Sequence, residues 1–319
     1  MKPIVVIGSI NMDLVCRTQV LPRGGETVLG SEFVTVPGGK GANQAVAAAK
    51  LASGDLKVHM IGRVGDDDFG QRLLNGLRQH QVNTRHVVVT EGVASGIAMI
   101  LVDRKGENSI VVAPGANARL APADLDTAEE TIASASVVVL QLEIPLATVR
   151  HAIAMCQRLG VYTILDPAPA PAKPLPRALF GVDLFTPNES EAQTLLQITP
   201  RARQKRSVEP KQIAGELIAR GVKAVALKLG SKGSMMVSRD RRANRSDFYT
   251  AKPFKVKVID TTAAGDAFTA GLAVAKAEGM SPSQTMNFAN AAGAICCKGF
   301  GAQPSLPTRS AVEKLLQTR

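Results

Sequence analysis

Residues 137–166 read VVVLQLEIPLATVRHAIAMCQRLGVYTILD. Val137–Leu140 is a short apolar run and reads as a buried strand. Leu146–Leu159 reads as a helix, and Thr163–Asp166 as a second strand. A strand, a helix and a strand in close succession form a βαβ unit, whose two strands lie parallel in one sheet.

The same alternation runs outward from this stretch. Upstream, Ile4–Ile7 reads as a strand ending at Gly8, Ala42–Leu51 as an Ala-rich helix and Val58–Ile61 as a strand. Asp67–His80 and Asp124–Ala133 read as helices. Downstream come helices over 189–197 and 211–220, then a strand at Ala224–Leu229. Lys255–Ile259 is strand-like, and helices Gly265–Glu278 and Pro282–Cys297 follow. This order predicts an α/β fold: a central, mostly parallel sheet flanked by helices on both faces.

A second set of β-rich pieces does not fit that sheet. Leu14–Val20, Glu26–Leu29 and Glu32–Val36 are short and broken by Pro22, Gly24, Gly25 and Gly30. Ile97–Val102 and Asn108–Val112 flank the turn Asp103–Gly106, as in a hairpin. These pieces predict a small β-strand lid, inserted at about 13–36 and 96–113 of a single α/β domain over 1–319. There is no internal repeat, low-complexity tail or linker.

Composition narrows the functional classes. Hydrophobic residues make up 45% and charged residues 20%, so the chain can bury a core. Aromatics are only 3% with no Trp, which leaves Val, Ile, Leu and Ala to build it. The formal charge of +11 favours anionic ligands in general. Much of the excess lies in Arg201–Arg206 and Arg239–Arg245. Neither run interleaves aromatics with its cations, so neither resembles a stacking surface for nucleic acid; solvated loops are the simpler reading. Cys16, Cys156, Cys296 and Cys297 show no CxxC spacing, which suits reduced thiols in a cytoplasmic protein. No apolar run is long enough for a membrane span.

Asp260–Ala270, DTTAAGDAFTA, is the strongest local signal. Ala263, Ala264 and Gly265 are small, so their amides can approach an anion at a helix N-terminus. Asp266 follows in the first turn, where a carboxylate can take a proton from an attacking hydroxyl. Asp also favours first turns as a cap, and on this segment alone the two readings stand equal.

Pro37–Gln44, PGGKGANQ, lacks the GxxxxGK[ST] spacing of a phosphate-binding P-loop. Lys40 and Asn43 then suit hydroxyl recognition, although a plain helix entry explains the glycines equally simply. In Gly8–Asp13, GSINMD, Asn11 and Asp13 share one face if the segment is extended, an amide and a carboxylate suited to a vicinal diol. The alternative there is a turn. Glu143 falls just after the strand Val137–Leu140, near the carboxyl edge where open α/β sheets bind ligands. Asn188 and Glu191 stand at i and i+3 of a helix start, where they face magnesium-bound phosphate or simply cap the helix. Lys228–Gly233, KLGSKG, ends a strand with two glycines suited to backbone contact with a nucleotide.

In order along the chain, GSINMD, LPRGGETV, GGKGANQAVAAA, IGRVGDDDFG, QLE, PNESE, KLGSKG, DTTAAGD and KGFGAQPS resemble the ribokinase-like carbohydrate kinase family. The resemblance covers about Ile4 to Pro307. It implies ATP-dependent phosphorylation of D-ribose at the O5 hydroxyl to give ribose 5-phosphate and ADP, with Mg2+ and a monovalent cation, usually K+. It implies Asp266 as base and Ala263, Ala264 and Gly265 as anion hole. Asn11, Asp13, Gly39, Lys40, Asn43, Glu143 and Asp266 itself correspond to sugar ligands, with Ala98 and Ile110 as apolar contacts over the sugar. Asn188, Lys228, Gly230, Ser231, Gly233 and Gly265 correspond to nucleotide contacts, with Asn290 near the adenine and Glu191 acting indirectly on magnesium. Asp260, Thr262, Cys296, Gly299, Gly301 and Ser305 match the potassium positions. A homodimer through the β lid is also implied, with neither nucleic acid nor membrane as a partner.

The chain departs from the family pattern at Gly24, where Pro is common, and at Cys296 and Gly299. The segment Arg201–Pro210 is longer and more basic than usual. Rival readings are a kinase for deoxyribose, a nucleoside or another sugar, and a sugar-sensing binding protein without turnover. The Asn11, Asp13 and Glu143 set favours a small sugar with several free hydroxyls.

Overall fold

The computed structural model describes residues 1–198, 209–240 and 245–318. The basic run Arg201–Arg206, and the centre of the run Arg239–Arg245, lie outside the described residues. Thirteen strands are formed among those described. They are β1 (Ile4–Ile7), β2 (Asn11–Thr18), β3 (Gly30–Gly38), β4 (Val58–Gly65), β5 (Val82–Thr90), β6 (Gly96–Val102) and β7 (Asn108–Ala113). They continue with β8 (Val137–Leu140), β9 (Tyr162–Leu165), β10 (Leu184–Phe185), β11 (Ala224–Lys228), β12 (Ser234–Asp240) and β13 (Arg245–Ala251).

Nine of these form one sheet in the order β13-β12-β11-β10-β9-β8-β1-β4-β5. Neighbours from β11 across to β5 pair in parallel, while β12 and β13 add an antiparallel edge. β1 shows why its sequence is apolar at every position. Ile4 and Val6 pack into the cluster on one face, Val5 and Ile7 into that on the other, and all four are fully buried. A parallel strand covered on both faces has no polar side to alternate with. Helices Lys40–Leu51, Ala264–Ala277 and Pro282–Cys296 cover the first face. Helices Leu146–Leu159, Glu189–Leu196 and Pro210–Ala219 cover the second.

The other four strands form a separate small sheet, β3-β2-β6-β7, in which β2 and β6 pair in parallel and the outer pairs are antiparallel. Only Gly8, Ser9 and Ile10 separate β1 from β2, so the small sheet begins at the carboxyl end of a central strand. One ladder row sets Val36, Asp13, Ala98 and Val112 side by side; the next sets Val34, Val15, Ile100 and Ile110. Asn11 and Asp13 share one face of β2, and the extended reading of GSINMD holds over the turn.

Several elements differ from the sequence expectation. Glu26–Leu29 is no strand: the β2–β3 ladder reaches only Thr18 and Gly30, and a turn at Gly25 (φ +83°) leaves the residues after it unpaired. Lys255–Ile259 is extended but unpaired. Its Val256 and Val258 line a cleft, and the Ile259 N–H donates to the Cys297 carbonyl (2.8 Å). Asp124–Ala133 splits into Pro122–Asp126 and Glu129–Ser134. The edge strand β5, the two-residue β10 and the pair β12 and β13 carry weak sequence signals, since edge and very short strands need no continuous apolar run.

Candidate active site

The carboxyl ends of β9 and β11 meet the N-terminus of helix Ala264–Ala277 along a cleft of about 930 Å³. Lys40, Asp166, Asn188, Glu191, Lys228, Gly265, Asp266 and Asn290 are among its lining residues. This is the edge of an open parallel sheet at which ligands bind.

Asp266 lies in the first turn of that helix and is 5% exposed. Its carboxylate accepts from Asn43 Nδ2 (3.1 Å) and from Gln44 Nε2 (3.0 Å). Burial pushes the carboxyl up to about 6; the Lys40 ammonium opposes this, Asp166 adds to it, and the two amide donors hold it down. Asn43 Oδ1 is buried with no donor among the described residues, an open acceptor beside Asp266. Ala263 precedes the helix in the left-handed region at φ 58°. The helix's first internal bond runs from the Ala267 N–H to the Ala263 carbonyl (2.9 Å). The amides of Gly265 and Asp266 therefore lie ahead of the ladder, while that of Ala264 donates to the Thr261 carbonyl at 3.2 Å.

On the small-sheet side, Asp13 is 8% exposed and packs against Gly38, where a Cβ would come within 2.2 Å of its Oδ2. Glycine is required at that point for the carboxylate to sit. Burial, then the negative charges of Glu143 and Asp266, push Asp13 up to about 7. Glu143 accepts from Ser9 Oγ (2.5 Å) and from the Lys40 N–H (3.1 Å). Gly39, at φ 85°, caps the helix Lys40–Leu51 and presses on Asn11, where a Cβ would meet the backbone nitrogen at 2.7 Å. Asn11 Oδ1 accepts from Asn117 Nδ2 (2.7 Å), and Asn117 also clamps the backbone of Ile10. Burial draws the Lys40 ammonium down, but Asp266, Asp166, Glu143 and Glu191 outweigh it and hold the group above its ordinary value. Ala98 adjoins Asp13 in the ladder and is buried. Ile110 stands one row farther out, 51% exposed on an edge strand, so a single chain does not bring it against Asp13.

On the other side, Asn188 and Glu191 form a capping box: Asn188 Oδ1 accepts from the Glu191 N–H (2.8 Å) and Glu191 Oε2 from the Asn188 N–H (2.7 Å). The capping geometry is thus present, and both residues also line the cleft. Lys228 Nζ donates to Asp166 Oδ1 at 2.9 Å. Gly230 and Ser231 lie in a single 3-10 turn, and Gly233 follows at φ 90°. Asn290 donates to the Lys252 carbonyl (2.7 Å) at the cleft rim.

Behind the anion-facing turn, Asp260 Oδ1 accepts from the N–H (2.9 Å) and hydroxyl (2.7 Å) of Thr262, and Oδ2 from the Gly301 N–H (2.9 Å). Burial would raise this carboxyl, but those donors and Arg17 hold it below the usual range. Cys296 Sγ donates to the Thr262 carbonyl (3.5 Å) and shares a hydrogen bond with Ser305 Oγ (3.1 Å). Burial pushes this thiol up to about 12, so it is neutral. Gly299 packs on Ser305, where a Cβ would lie 2.8 Å from the Ser305 Cβ. The six residues assigned to potassium thus converge on one corner. Among the described residues no group of three His, Cys, Asp or Glu side chains is placed to hold a metal. A cation here would rest on carbonyls, hydroxyls and one carboxylate, a hard-oxygen set compatible with an alkali ion.

Sequence reasoning missed a polar network under the site. Asp166, 1% exposed, accepts from Gln44 Nε2 (3.0 Å), Thr269 Oγ1 (3.4 Å) and Lys228. Gln141 Nε2 in turn donates to Gln44 Oε1 (2.7 Å). Two signals were present: Gln44 ends PGGKGANQ, and Asp166 follows a strand just as Glu143 does.

The fold and cleft define the class. The chain belongs to the pfkB family of carbohydrate kinases, whose model matches residues 1–309. Within that family it is similar to ribokinases. Bacillus subtilis ribokinase is 40% identical over 318 residues, 99% of this chain and 100% of that protein. The structure of Thermotoga maritima ribokinase superposes with a TM-score of 0.86 at 34% identity, covering 99% of this chain and 100% of the other. Arabidopsis thaliana ribokinase, solved with ribose and ATP, gives 0.87 at 33% identity, with 99% of each chain covered.

Proposed function

We propose that this protein transfers the γ-phosphate of ATP to the O5 hydroxyl of D-ribose. The observation that carries the reading is the placement of Asp266. One buried carboxylate stands between the side chains of Asp13 and Glu143 and the nucleotide-sized cleft, at a helix N-terminus. Asn11, Asp13 and Glu143 would take the sugar hydroxyls, with Lys40, Asn43 and Gly39 completing the floor and Ala98 the apolar roof. Asp266 accepts the proton of the attacking O5 hydroxyl. The amides of Ala263 and Gly265 would face the charge that grows on the transferring group, whereas that of Ala264 is taken up by the Thr261 carbonyl; losing one free donor costs about 3–4 kcal/mol in comparable sites. The two sheets act as one kinase domain over 1–319, with the small sheet as a lid whose closure excludes water.

Mg2+ bound with the triphosphate would neutralise phosphate charge, with Asn188 and Glu191 on the wall nearest it. A monovalent cation, K+, would sit among Asp260, Thr262, Cys296, Gly299, Gly301 and Ser305 and order the turn that presents the amides. Four free cysteines fit a cytoplasmic protein. Among the described residues no helix is long and apolar enough to cross a membrane.

ADP release with ribose, deoxyribose and a nucleoside panel, each with and without K+, tests this. Ribose is expected to give the highest kcat/KM, stimulated by K+. Preference for another acceptor would move the assignment within the family, and ribose binding without turnover would favour a sensor.

A further inference from the structure

Lys228 ends β11, and its side chain is only 13% exposed. Its Nζ lies 2.9 Å from Asp166 Oδ1 and 4.0 Å from Glu191 Oε2. A Cβ on Gly265 would meet the same Nζ at 3.4 Å. The ammonium therefore stands between two carboxylates and directly before a helix N-terminus. The helix end alone repels a cation, so the two carboxylates must hold it there. A cation flanked by carboxylates and adjoining a phosphate-sized space is also how phosphate-transfer sites seat a divalent metal.

We propose that Lys228 is the resident counter-cation of the Asp166 and Glu191 pair, and that it makes divalent-metal binding conditional on nucleotide. This rests on the ATP-dependent reading above. A free divalent ion entering the cleft meets an ammonium already occupying the attractive charge of Asp166 and Glu191, and brings no anion of its own for that ammonium to join. A metal arriving on a triphosphate brings phosphate oxygens that draw Lys228 off the carboxylates, so both cations gain a partner together. The cleft supports this exchange: Lys228, Glu191, Asp166 and the Gly265 turn all line it, so the side chain can swing without leaving it.

Mn2+ serves as the probe, with free ion followed by its paramagnetic resonance signal in the absence of nucleotide. Wild-type protein and Lys228→Arg are expected to bind it weakly and to tighten only when ATP analogue is added. Lys228→Met is expected to bind one Mn2+ on the order of tenfold or more tighter without nucleotide, because a like charge a few ångströms away is gone. Adding Asp166→Asn to Lys228→Met should abolish that gain. A Lys228→Met curve that overlays wild type overturns the proposal. So does wild-type protein that binds Mn2+ equally tightly with and without nucleotide, a measurement needing no variant. Ribose phosphorylation by wild type judges the kinase reading separately.

Discussion

At the residue scale the site is a set of carboxylates held against their preference. Asp13 is nearly buried and has Glu143 and Asp266 for neighbours, which is why it rises to about 7. A carboxyl that is raised on folding stabilises the folded state fully below its unfolded pKa, near 3.8. That contribution is lost as pH rises through the folded value near 7. The difference of about three units corresponds to roughly 4 kcal/mol of destabilisation above neutrality. Asp13→Asn should therefore raise the melting temperature at pH 8 with little gain at pH 4, while ribose binding collapses. Equal shifts at both pH values would show that Asp13 is not strained by its charge. Asp266 must be ionised to accept a proton. With its carboxyl pushed up to about 6 and that of Asp13 up to about 7, kcat/KM should fall as pH drops through this range and level off above it, the limb belonging to the two carboxyls together. Asp266→Asn should keep ribose affinity, measured by calorimetry, and lose on the order of 10²- to 10⁴-fold in turnover. Near wild-type turnover would remove Asp266 from the role of base.

At the element scale, what was legible in the sequence followed burial. Val137–Leu140 and Ile4–Ile7 declared themselves because both faces of a parallel strand are covered and no polar residue interrupts them. Lys255–Ile259 misled because an extended segment over a cleft shows the same apolar residues without a ladder. Motif residues Asn43, Asp266 and Glu143 were readable, since each lies at the end or start of an element. Asp166 and Gln44 were not singled out, because nothing local in the sequence says that residues 44, 141, 166 and 266 converge. That convergence depends on helix packing. Helices Ala264–Ala277 and Pro282–Cys296 approach so closely at Gly271 that a Cβ there would lie 2.8 Å from the Ala289 Cα. Gly271→Ala should force the helices apart, costing on the order of 1–3 kcal/mol in denaturant unfolding. It should also lower turnover, because the displaced helix carries Asp266 and the amides before it. Unchanged stability would mean that the pair has slack at this crossing.

For the whole molecule, the unresolved balance is between the small sheet and the charge. The sheet leaves Phe33, Met99, Ile110, Val111 and Val112 substantially exposed. Met99 and Val111 are ladder partners on one face, while Ile110 and Val112 lie on the face of Asp13. A four-stranded sheet with apolar groups open on both faces invites pairing with another such sheet. A second copy of this chain is the partner proposed, since dimerisation through the lid would cover Ile110 and enclose the pocket beside Asp13. Against it stands the formal charge of +11 on each copy, which repels at long range and is screened as salt shortens the Debye length. The two terms predict an association that tightens with salt, opposite to one driven by ion pairs. Light scattering across a protein dilution series should show a dimer whose dissociation constant falls between 0.02 and 0.5 M NaCl, where screening shortens from about 20 Å to about 4 Å. Ile110→Asp should yield a monomer at all these concentrations and raise the KM for ribose several-fold while leaving the thermal melt near wild type. A wild-type monomer at every salt concentration, or an Ile110→Asp dimer of unchanged KM, would mean that the small sheet closes over its own pocket without help from a second copy.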